Sequence, residues 1–324
     1  TYMRPKSLQG LLQSIQNQIL YPDEILIIDG STNEETKKTV VENQFKKVKY
    51  FLVSDENRGL TKQRNFGISK VDLDSEIICF LDDDIILDAN YFENLLKTYT
   101  VFPEALGVGG FIKNEVDWEE VTKNYIPTNR EFIFDGWKRK EGVRFVLRKM
   151  LNLDSNRPPG FSTPYSHGRS VAFLPPSDKI YQVEQLMGGV SSFKKAIFST
   201  ILFSPFFEGY GLYEDADFSL RVSKIGALYL NTNAKLSHYH ASSGRPNQYK
   251  YGKMVVRNGW YVWRVYNLNP NLKDRFKWNM ISILLTLIRF TNILTEEKKK
   301  EAFTESLGRT IGLFSLLFNK PKVK

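Results

Sequence analysis

Cysteine is almost missing from this chain. Cys79 is the only one in 324 residues, and it sits in the apolar run Glu76–Leu81. It reads as a small core residue, and no disulfide can form within one chain, which fits a reducing, cytoplasmic setting. Long apolar runs are lacking too. None reaches the ~18–20 residues that a membrane-spanning helix needs, so none is expected. No signal-peptide pattern is visible. A dinucleotide fingerprint is also absent: Gly107-Val108-Gly109-Gly110 would need its next glycine at 112, where Ile112 stands. Acidic residues fall short of basic ones, leaving a net charge of +9. That excess favours an anionic partner, either a nucleotide, a nucleic acid or anionic lipid. The basic residues are not gathered in one compact motif, so a nucleic-acid partner is not expected. Charged residues make up 25% and apolar ones 42% of the chain. Those fractions are ordinary for a globular protein and exclude bulk disorder.

What is present is an alternation of strand and helix. Pro5 opens a helix carrying Leu8, Leu11, Leu12, Ile15 and Ile19, and Pro22 ends it. Strands are expected at Glu24–Ile28, Val48–Val53 and Glu76–Leu81. Helices are expected from Asn33 to about Phe45, near Thr61–Lys70, and after Asp88. This βαβα order predicts an α/β fold whose mostly parallel sheet is flanked by helices. Ligands then belong beyond the carboxyl ends of the strands. The chain opens at Thr1-Tyr2-Met3-Arg4-Pro5 with no strand ahead. A first apolar strand of about five or six residues is expected immediately upstream of Thr1. Residues 117–177 break the alternation. They read as a long irregular insertion, rich in aromatics, Arg, Lys, Pro and Gly, of the kind used as a lid or binding loop. The sheet pattern resumes at Tyr181–Phe193, with Gly188-Gly189 inside it. From Tyr249 the chain reads as helices only. The expected domains are therefore a catalytic domain, 1–248, holding the insertion, and a C-terminal helical region, 249–324.

Two acidic clusters carry chemistry. Asp82-Asp83-Asp84 follow an apolar strand directly. Like charges stacked at a sheet edge are costly unless a cation sits there, and Mg²⁺ or Mn²⁺ shared with phosphate oxygens suits such a site. A solvated acidic turn is the plainer account of the triplet alone. Glu214, Asp215 and Asp217 lie in the first turn of a helix, after a glycine- and aromatic-rich approach spanning 207–213. Acids there are favoured by the helix dipole. Their position after a loop that lets a substrate close in makes one of them a candidate to accept a proton from a hydroxyl. His238 and His240 follow a strand at Ala234–Ser237, and either is a candidate metal ligand.

In this order the features resemble a family 2 inverting glycosyltransferase of the GT-A fold. Thr1-Tyr2-Met3-Arg4-Pro5 is similar to that family's Thr-Tyr-Asn-Arg-Pro opening. Asp29-Gly30-Ser31, Asn57-Arg58-Gly59 with Arg64-Asn65-Phe66-Gly67, Asp82-Asp83-Asp84, Gly188-Gly189 with Phe193-Lys194-Lys195, and Glu214-Asp215-Ala216-Asp217 follow in sequence, and His238 comes last. The resemblance spans about Thr1–Gly244. It implies that Thr1, Tyr2, Arg4, Asp29, Arg64, Asp82, Asp83, Gly188 and Gly189 contact a nucleotide-sugar donor. It implies that Asp84 and His238 meet Mn²⁺ or Mg²⁺ at the diphosphate, that Asp215 is the general base and that Glu214 supports it. It implies a hexosyltransferase whose acceptor is a saccharide or lipid-linked saccharide, in polysaccharide or glycolipid assembly. Met3 departs from the usual Asn, and Lys62-Gln63 stand where Ala is common. A nucleotidyltransferase acting on sugar phosphates would show a Gly-rich phosphate loop with a basic residue early on. A noncatalytic carbohydrate- or lipid-binding module would not need Asp84 and Asp215 together.

Near the end, the apolar segment 280–288 is flanked by Lys273, Arg275, Lys277, Trp278 and Arg289. Ile311–Phe318 lies between Lys298-Lys299-Lys300 and Lys320, Lys322 and Lys324. One reading is a helical subdomain packed on the core or on a dimer partner. The other is a peripheral anchor on anionic lipid at the inner face of the cell membrane, with Trp278 at headgroup level. Gly308 and Gly312 have GxxxG spacing, which carries little weight outside a spanning helix.

Overall fold

Helical periodicity and a proline at the start make the first element. α1 (Pro5–Gln16) buries Leu8, Leu11, Leu12 and Ile15 on one face. The structure, a computed structural model, describes residues 1–323 apart from 208 and 241–245. Glu208, in the approach to the second acidic cluster, Gly244, where the resemblance ends, and Lys324 lie outside the described residues. After α1 come β1 (Ile25–Asp29), α2 (Glu35–Glu42), β2 (Val48–Leu52), α3 (Leu60–Ile68), β3 (Ile77–Leu81), β4 (Ile85–Leu87), α4 (Tyr91–Val101) and β5 (Gly107–Ile112). β6 (Glu119–Glu120), β7 (Glu131–Phe134), β8 (Trp137–Lys140) and α5 (Val143–Met150) form the next stretch. β9 (Ile180–Val183), β10 (Val190–Lys194), α6 (Glu214–Ser223) and β11 (Leu228–His238) follow, then α7 (Gln248–Tyr266), α8 (Leu272–Thr295) and α9 (Lys299–Phe318).

The chain divides into two compact units, Thr1–Asp117 with Leu174–Arg245, and Trp118–Phe173 with Pro246–Lys324. The insertion therefore groups with the C-terminal helices, whereas the sequence reading placed it inside the catalytic domain. Its polar groups show why. The Trp263 indole N–H donates to the Pro164 carbonyl (2.7 Å), and Arg157 Nη1 donates to the Tyr266 hydroxyl (2.5 Å).

In the first unit the sheet is mixed. β1 and β2 pair in parallel. A second sheet runs β3-β10-β5-β11-β4, with β9 also on β11. β10 is antiparallel to both β3 and β5, and β5 is parallel to β11. β3, β5 and β11 thus share one direction, and their carboxyl ends share one edge. The core under it includes Ile27, Ile85, Leu95, Val108, Val190 and Leu236. The sequence reading put Gly188-Gly189 inside one strand over 181–193. They instead lie in the turn between β9 and β10, which pair with different neighbours.

Among the described residues, β1 has no ladder partner on the edge away from β2, and β3 none on the edge away from β10. A cavity of about 1310 Å³ runs between them, lined by Leu12, Ile15, Ile27, Ile68 and Ile78 and opening at the acidic edge. Thr1 stands at its mouth. The Thr1 amino group donates to the Ile28 carbonyl (3.0 Å), and Gly30 N–H donates to the Thr1 carbonyl (3.1 Å). That is the bond pair a residue opposite Asp29 makes in a parallel ladder.

The second unit is more regular than its composition implied. β7 and β8 form a hairpin whose turn residues, Asp135 and Gly136, have φ of 51° and 81°. This is the Asp-Gly signature of a two-residue hairpin, and the sequence reading passed over it. α7 and α9 cross closely. A Cβ on Gly308 would lie 2.1 Å from the Tyr249 carbonyl oxygen, and one on Gly252 would lie 2.1 Å from that of Glu305. The Gly308/Gly312 spacing therefore does structural work that the sequence reading set aside. Trp278 also differs from expectation. It is buried and stacked on Trp263 at 5.2 Å, so its ring is not exposed to a lipid surface. The run-length test also missed α8. As a continuous helix, broken in sequence only by residues such as Ser282, Thr286 and Arg289, it reaches a mean hydropathy of 1.3 and is long and apolar enough to cross a membrane.

Candidate functional site

The carboxyl ends of β1, β3 and β11, the turn before β10 and the start of α6 bring the expected residues to one edge of the first unit. Thr1, Tyr2, Arg4, Asp82, Asp83, Asp84, Arg64, Glu214, Asp215 and His238 all line the same cavity.

Glycine makes the centre possible. A Cβ on Gly189 would lie 2.2 Å from Asp82 Cγ, and one on Gly188 would lie 2.7 Å from both Arg64 Nη1 and Glu214 Oε1. A side chain at either position would displace these groups. Asp82 N–H donates to the Gly189 carbonyl (3.0 Å), and Gly188 N–H donates to Asp215 Oδ2 (3.1 Å). The glycine turn thus ties the strand that ends in aspartates to the helix that begins with acids.

The three acids of α6 have different fates. Asp217 is fully buried and paired with Arg221 (2.7 Å), one helical turn on. Glu214 is buried against Arg64 (2.6 Å), and its Oε2 has no hydrogen-bond partner among the described residues. Burial pushes the Glu214 carboxyl up to about 8, against the pull of Arg64. Asp215 alone is half-buried at the cavity wall, with Oδ1 receiving the Ala216 N–H (2.8 Å). Tyr213 caps this helix at φ 71°, a left-handed conformation rare for a bulky residue.

Arg64 is packed in. Its guanidinium lies over Phe203 (5.2 Å to the ring centre), touching Glu214 and, at 3.5 Å, Asp82. Asp83 is turned toward the chain's opening, accepting from Thr1 Oγ1 (2.5 Å) and Arg4 Nη1 (3.1 Å). Arg4 reaches Asp84 Oδ2 as well (3.4 Å). Asp29 is fully buried, its oxygens accepting from Ser31 N–H and the Tyr50 hydroxyl (2.8 Å each). Tyr2 is exposed and lines the cavity. Met3 takes φ 56°, a conformation that Asn tolerates far better than Met.

The candidate metal ligands meet. His238 Nε2 lies 3.3 Å from Asp84 Oδ1. That is close to the separation of neighbouring ligands on one octahedral cation, about 3 Å. Carboxylate oxygen suits either Mn²⁺ or Mg²⁺, whereas imidazole nitrogen suits transition metals, so the pair fits Mn²⁺ better than Mg²⁺. The His238 imidazole is pushed up to about 10 by its bonds to Asp84 and to Glu115. Glu115, three residues past β5, was missed in sequence because nothing local marks it. His240 lies 3.4 Å from the same Glu115 oxygen.

Comparison with known proteins bears on the family and the fold. The family model described as Glycosyl transferase family 2 matches residues 1–158. The O-antigen chain rhamnosyltransferase RfbN of Salmonella typhimurium is 29% identical over 31% of this chain and 31% of its own. A GalNAc(5)-diNAcBac-PP-undecaprenol beta-1,3-glucosyltransferase of Campylobacter jejuni is 34% identical over 30% of this chain and 31% of its own. The matched stretch thus spans about a third of these curated relatives. Among solved structures, the mannosyltransferase PcManGT from Pyrobaculum calidifontis, in complex with GDP-Man and Mn²⁺, aligns over 99% of this chain and 86% of its own. Its TM-score is 0.53 at 13% identity. GalNAc-T7 with UDP, GalNAc and Mn²⁺ covers 87% of this chain and 56% of its own, with TM-score 0.50 at 18% identity. These likenesses carry the fold, which is of the GT-A type.

Proposed function

From the membership of residues 1–158 in glycosyl transferase family 2, we propose that this chain moves a hexosyl group from a nucleoside-diphosphate sugar to an acceptor hydroxyl, with inversion. The observation that carries the reading is Asp215. It is the one acid of α6 that is half-exposed on the cavity wall, in the same cavity as Asp82, Asp84 and His238.

Asp84 and His238 would hold Mn²⁺ or Mg²⁺, and the bound ion supplies charge neutralisation for the leaving diphosphate. Tyr2 and Arg64 would bound the nucleotide pocket, with Asp29 buried at the end of β1 and Thr1 and Arg4 held by Asp83. Asp82, half-exposed between Arg64 and Gly189, faces the ribose. The acceptor hydroxyl gives its proton to an Asp215 oxygen. Its oxygen forms a bond to the anomeric carbon as the bond to the diphosphate oxygen breaks on the opposite face. The electron pair leaves with the diphosphate. Glu214 does not take the proton; it is buried against Arg64 and fixes the start of α6.

A lipid-linked saccharide acceptor in envelope glycan assembly is supported by the printed activity of the Campylobacter relative, which acts on an undecaprenol-linked glycan. α8 and α9 support a membrane surface. Ile283, Leu287, Phe290 and Leu294 form an exposed stripe on α8, and Phe303, Leu307, Ile311, Phe314 and Phe318 form one on α9. Lys298, Lys299, Lys300, Lys320 and Lys322 are exposed near their ends. On this support we read the protein as peripheral at the cytoplasmic face of an anionic membrane.

The test is a screen of nucleotide sugars with purified protein and Mn²⁺. One donor should raise the melting temperature and be slowly hydrolysed to nucleoside diphosphate. Stabilisation by none of them, with and without metal, would overturn the reading.

A further inference from the structure

His238 is held from both sides. Its Nε2 faces Asp84 Oδ1 at 3.3 Å, and its Nδ1 lies 2.7 Å from Glu115 Oε1. The three residues come from the carboxyl ends of three strands that run the same way, β11, β3 and β5. The backbone around them is locked. His238 N–H donates to Asn114 Oδ1 (2.9 Å), and the Asn114 amide donates back to the His238 carbonyl (3.0 Å). Tyr239 N–H donates to the Asp84 carbonyl (2.8 Å).

An imidazole has two unlike nitrogens, and the partner of one decides what the other offers. With Nδ1–H held on Glu115, Nε2 is the nitrogen that would give up its proton to bind a cation beside Asp84. Ligating histidines commonly donate their other N–H to a carboxylate, which fixes the tautomer and ring and raises ligand basicity. A rival arrangement uses the same side chains. Glu115, His238 and His240 present ligand atoms within 4.8 Å of one another. In that arrangement the ion would sit on the Glu115 side of the ring, away from Asp84.

We propose that Glu115 is a positioning residue: it accepts the Nδ1–H of His238 and so turns Nε2, beside Asp84, into the ligand of the divalent cation. The proposal rests on the assignment of Asp84 and His238 to that cation. His240 reaches the same Glu115 oxygen, at 3.4 Å, and is not a ligand.

The test is Mn²⁺ affinity of the full chain, read by electron paramagnetic resonance of free Mn²⁺, with Mn²⁺ alone and with inorganic pyrophosphate. No sugar donor is present, so activity plays no part. Glu115→Ala should weaken Mn²⁺ binding roughly 10–100-fold, the usual cost of losing a ligand's hydrogen-bond partner. Glu115→Gln, whose amide oxygen still accepts, should recover most of it, and His240→Ala should leave it nearly unchanged. Glu115 is partly exposed, so these variants should keep the wild-type melting temperature. If Glu115→Ala binds Mn²⁺ normally while Asp84→Asn and His238→Ala do not, the proposal is wrong and the site assignment stands. If Glu115→Gln and His240→Ala abolish binding while Asp84→Asn keeps it, the ion sits in the rival cluster and the proposal is wrong. If neither Asp84→Asn nor His238→Ala weakens binding, the underlying assignment falls with it.

Discussion

At the scale of single residues, burial assigns the chemistry. Three acids crowd the first turn of α6, but only Asp215 combines partial exposure with a place on the cavity wall. Glu214 shows the opposite case. Its carboxyl, ordinarily near 4.5, is pushed up to about 8 by burial. The folded state therefore holds a proton there that the unfolded chain has released. The stability this proton gives is complete below the ordinary carboxylate value and is lost as pH rises toward 8. Without donor or metal, wild-type melting temperature should fall with pH across this window more steeply than that of Glu214→Gln. Parallel curves for the two proteins would contradict the burial argument. Met3 gives a second residue-scale expectation. At φ 56° it adopts a conformation costly for most side chains and milder for Asn. Met3→Asn should raise unfolding free energy by up to ~1 kcal/mol, part of the cost of a left-handed residue. A loss of stability in urea titration would show that the Met3 side chain matters more than its backbone.

At the scale of elements, local patterns were readable and long-range ones were not. The apolar run before Asp82, the helical spacing of Leu8 to Ile15 and the acids after the glycine-rich approach are visible because each signal lies within one element. Gly188-Gly189 were misplaced inside a strand because their requirement is set by Arg64 and Glu214 for the first and by Asp82 for the second, residues that only the fold brings close. Glu115 escaped notice for the same reason, since only the fold brings it to His238. The insertion's hairpin was legible in Asp135-Gly136, but aromatic and basic composition drew attention away from it. The open edges of β1 and β3 lead to an element-scale prediction. Each strand is five residues long, the cavity between them has an apolar stretch that includes Leu12, Ile15, Ile27, Ile68 and Ile78, and Thr1 already pairs in parallel register opposite Asp29. Fusing five or six β-branched apolar residues ahead of Thr1 should fill this slot with a parallel strand. Each buried side chain of that size contributes about 1.5–3 kcal/mol. The melting temperature should rise by several degrees, and an unchanged value, or aggregation without stabilisation, would contradict the slot's assignment.

At the scale of the whole molecule, the two compact units have separate tasks in this account. The first holds the acidic edge. The second, built from the insertion and α7 to α9, presents exposed apolar stripes with basic residues near their ends. Anionic vesicles should sediment the protein at low salt, and salt should weaken this binding, because part of it is screened charge. Leu287→Glu with Phe290→Glu should abolish it without changing donor binding. Equal recovery in the supernatant with and without vesicles would favour a packed helical subdomain instead. The central claim, transfer with inversion at the acidic edge, is tested most directly at Asp215. The measurement is the transfer rate and donor affinity of Asp215→Asn, with the anomeric configuration of the wild-type product read by NMR. Asparagine keeps the size and hydrogen bonding of Asp215 but cannot take the acceptor proton. The account predicts wild-type donor affinity, transfer slower by ~10²–10⁴-fold, the usual contribution of a positioned general base, and a product inverted relative to the donor. Transfer near the wild-type rate by Asp215→Asn, or a product that retains the donor's configuration, would contradict it.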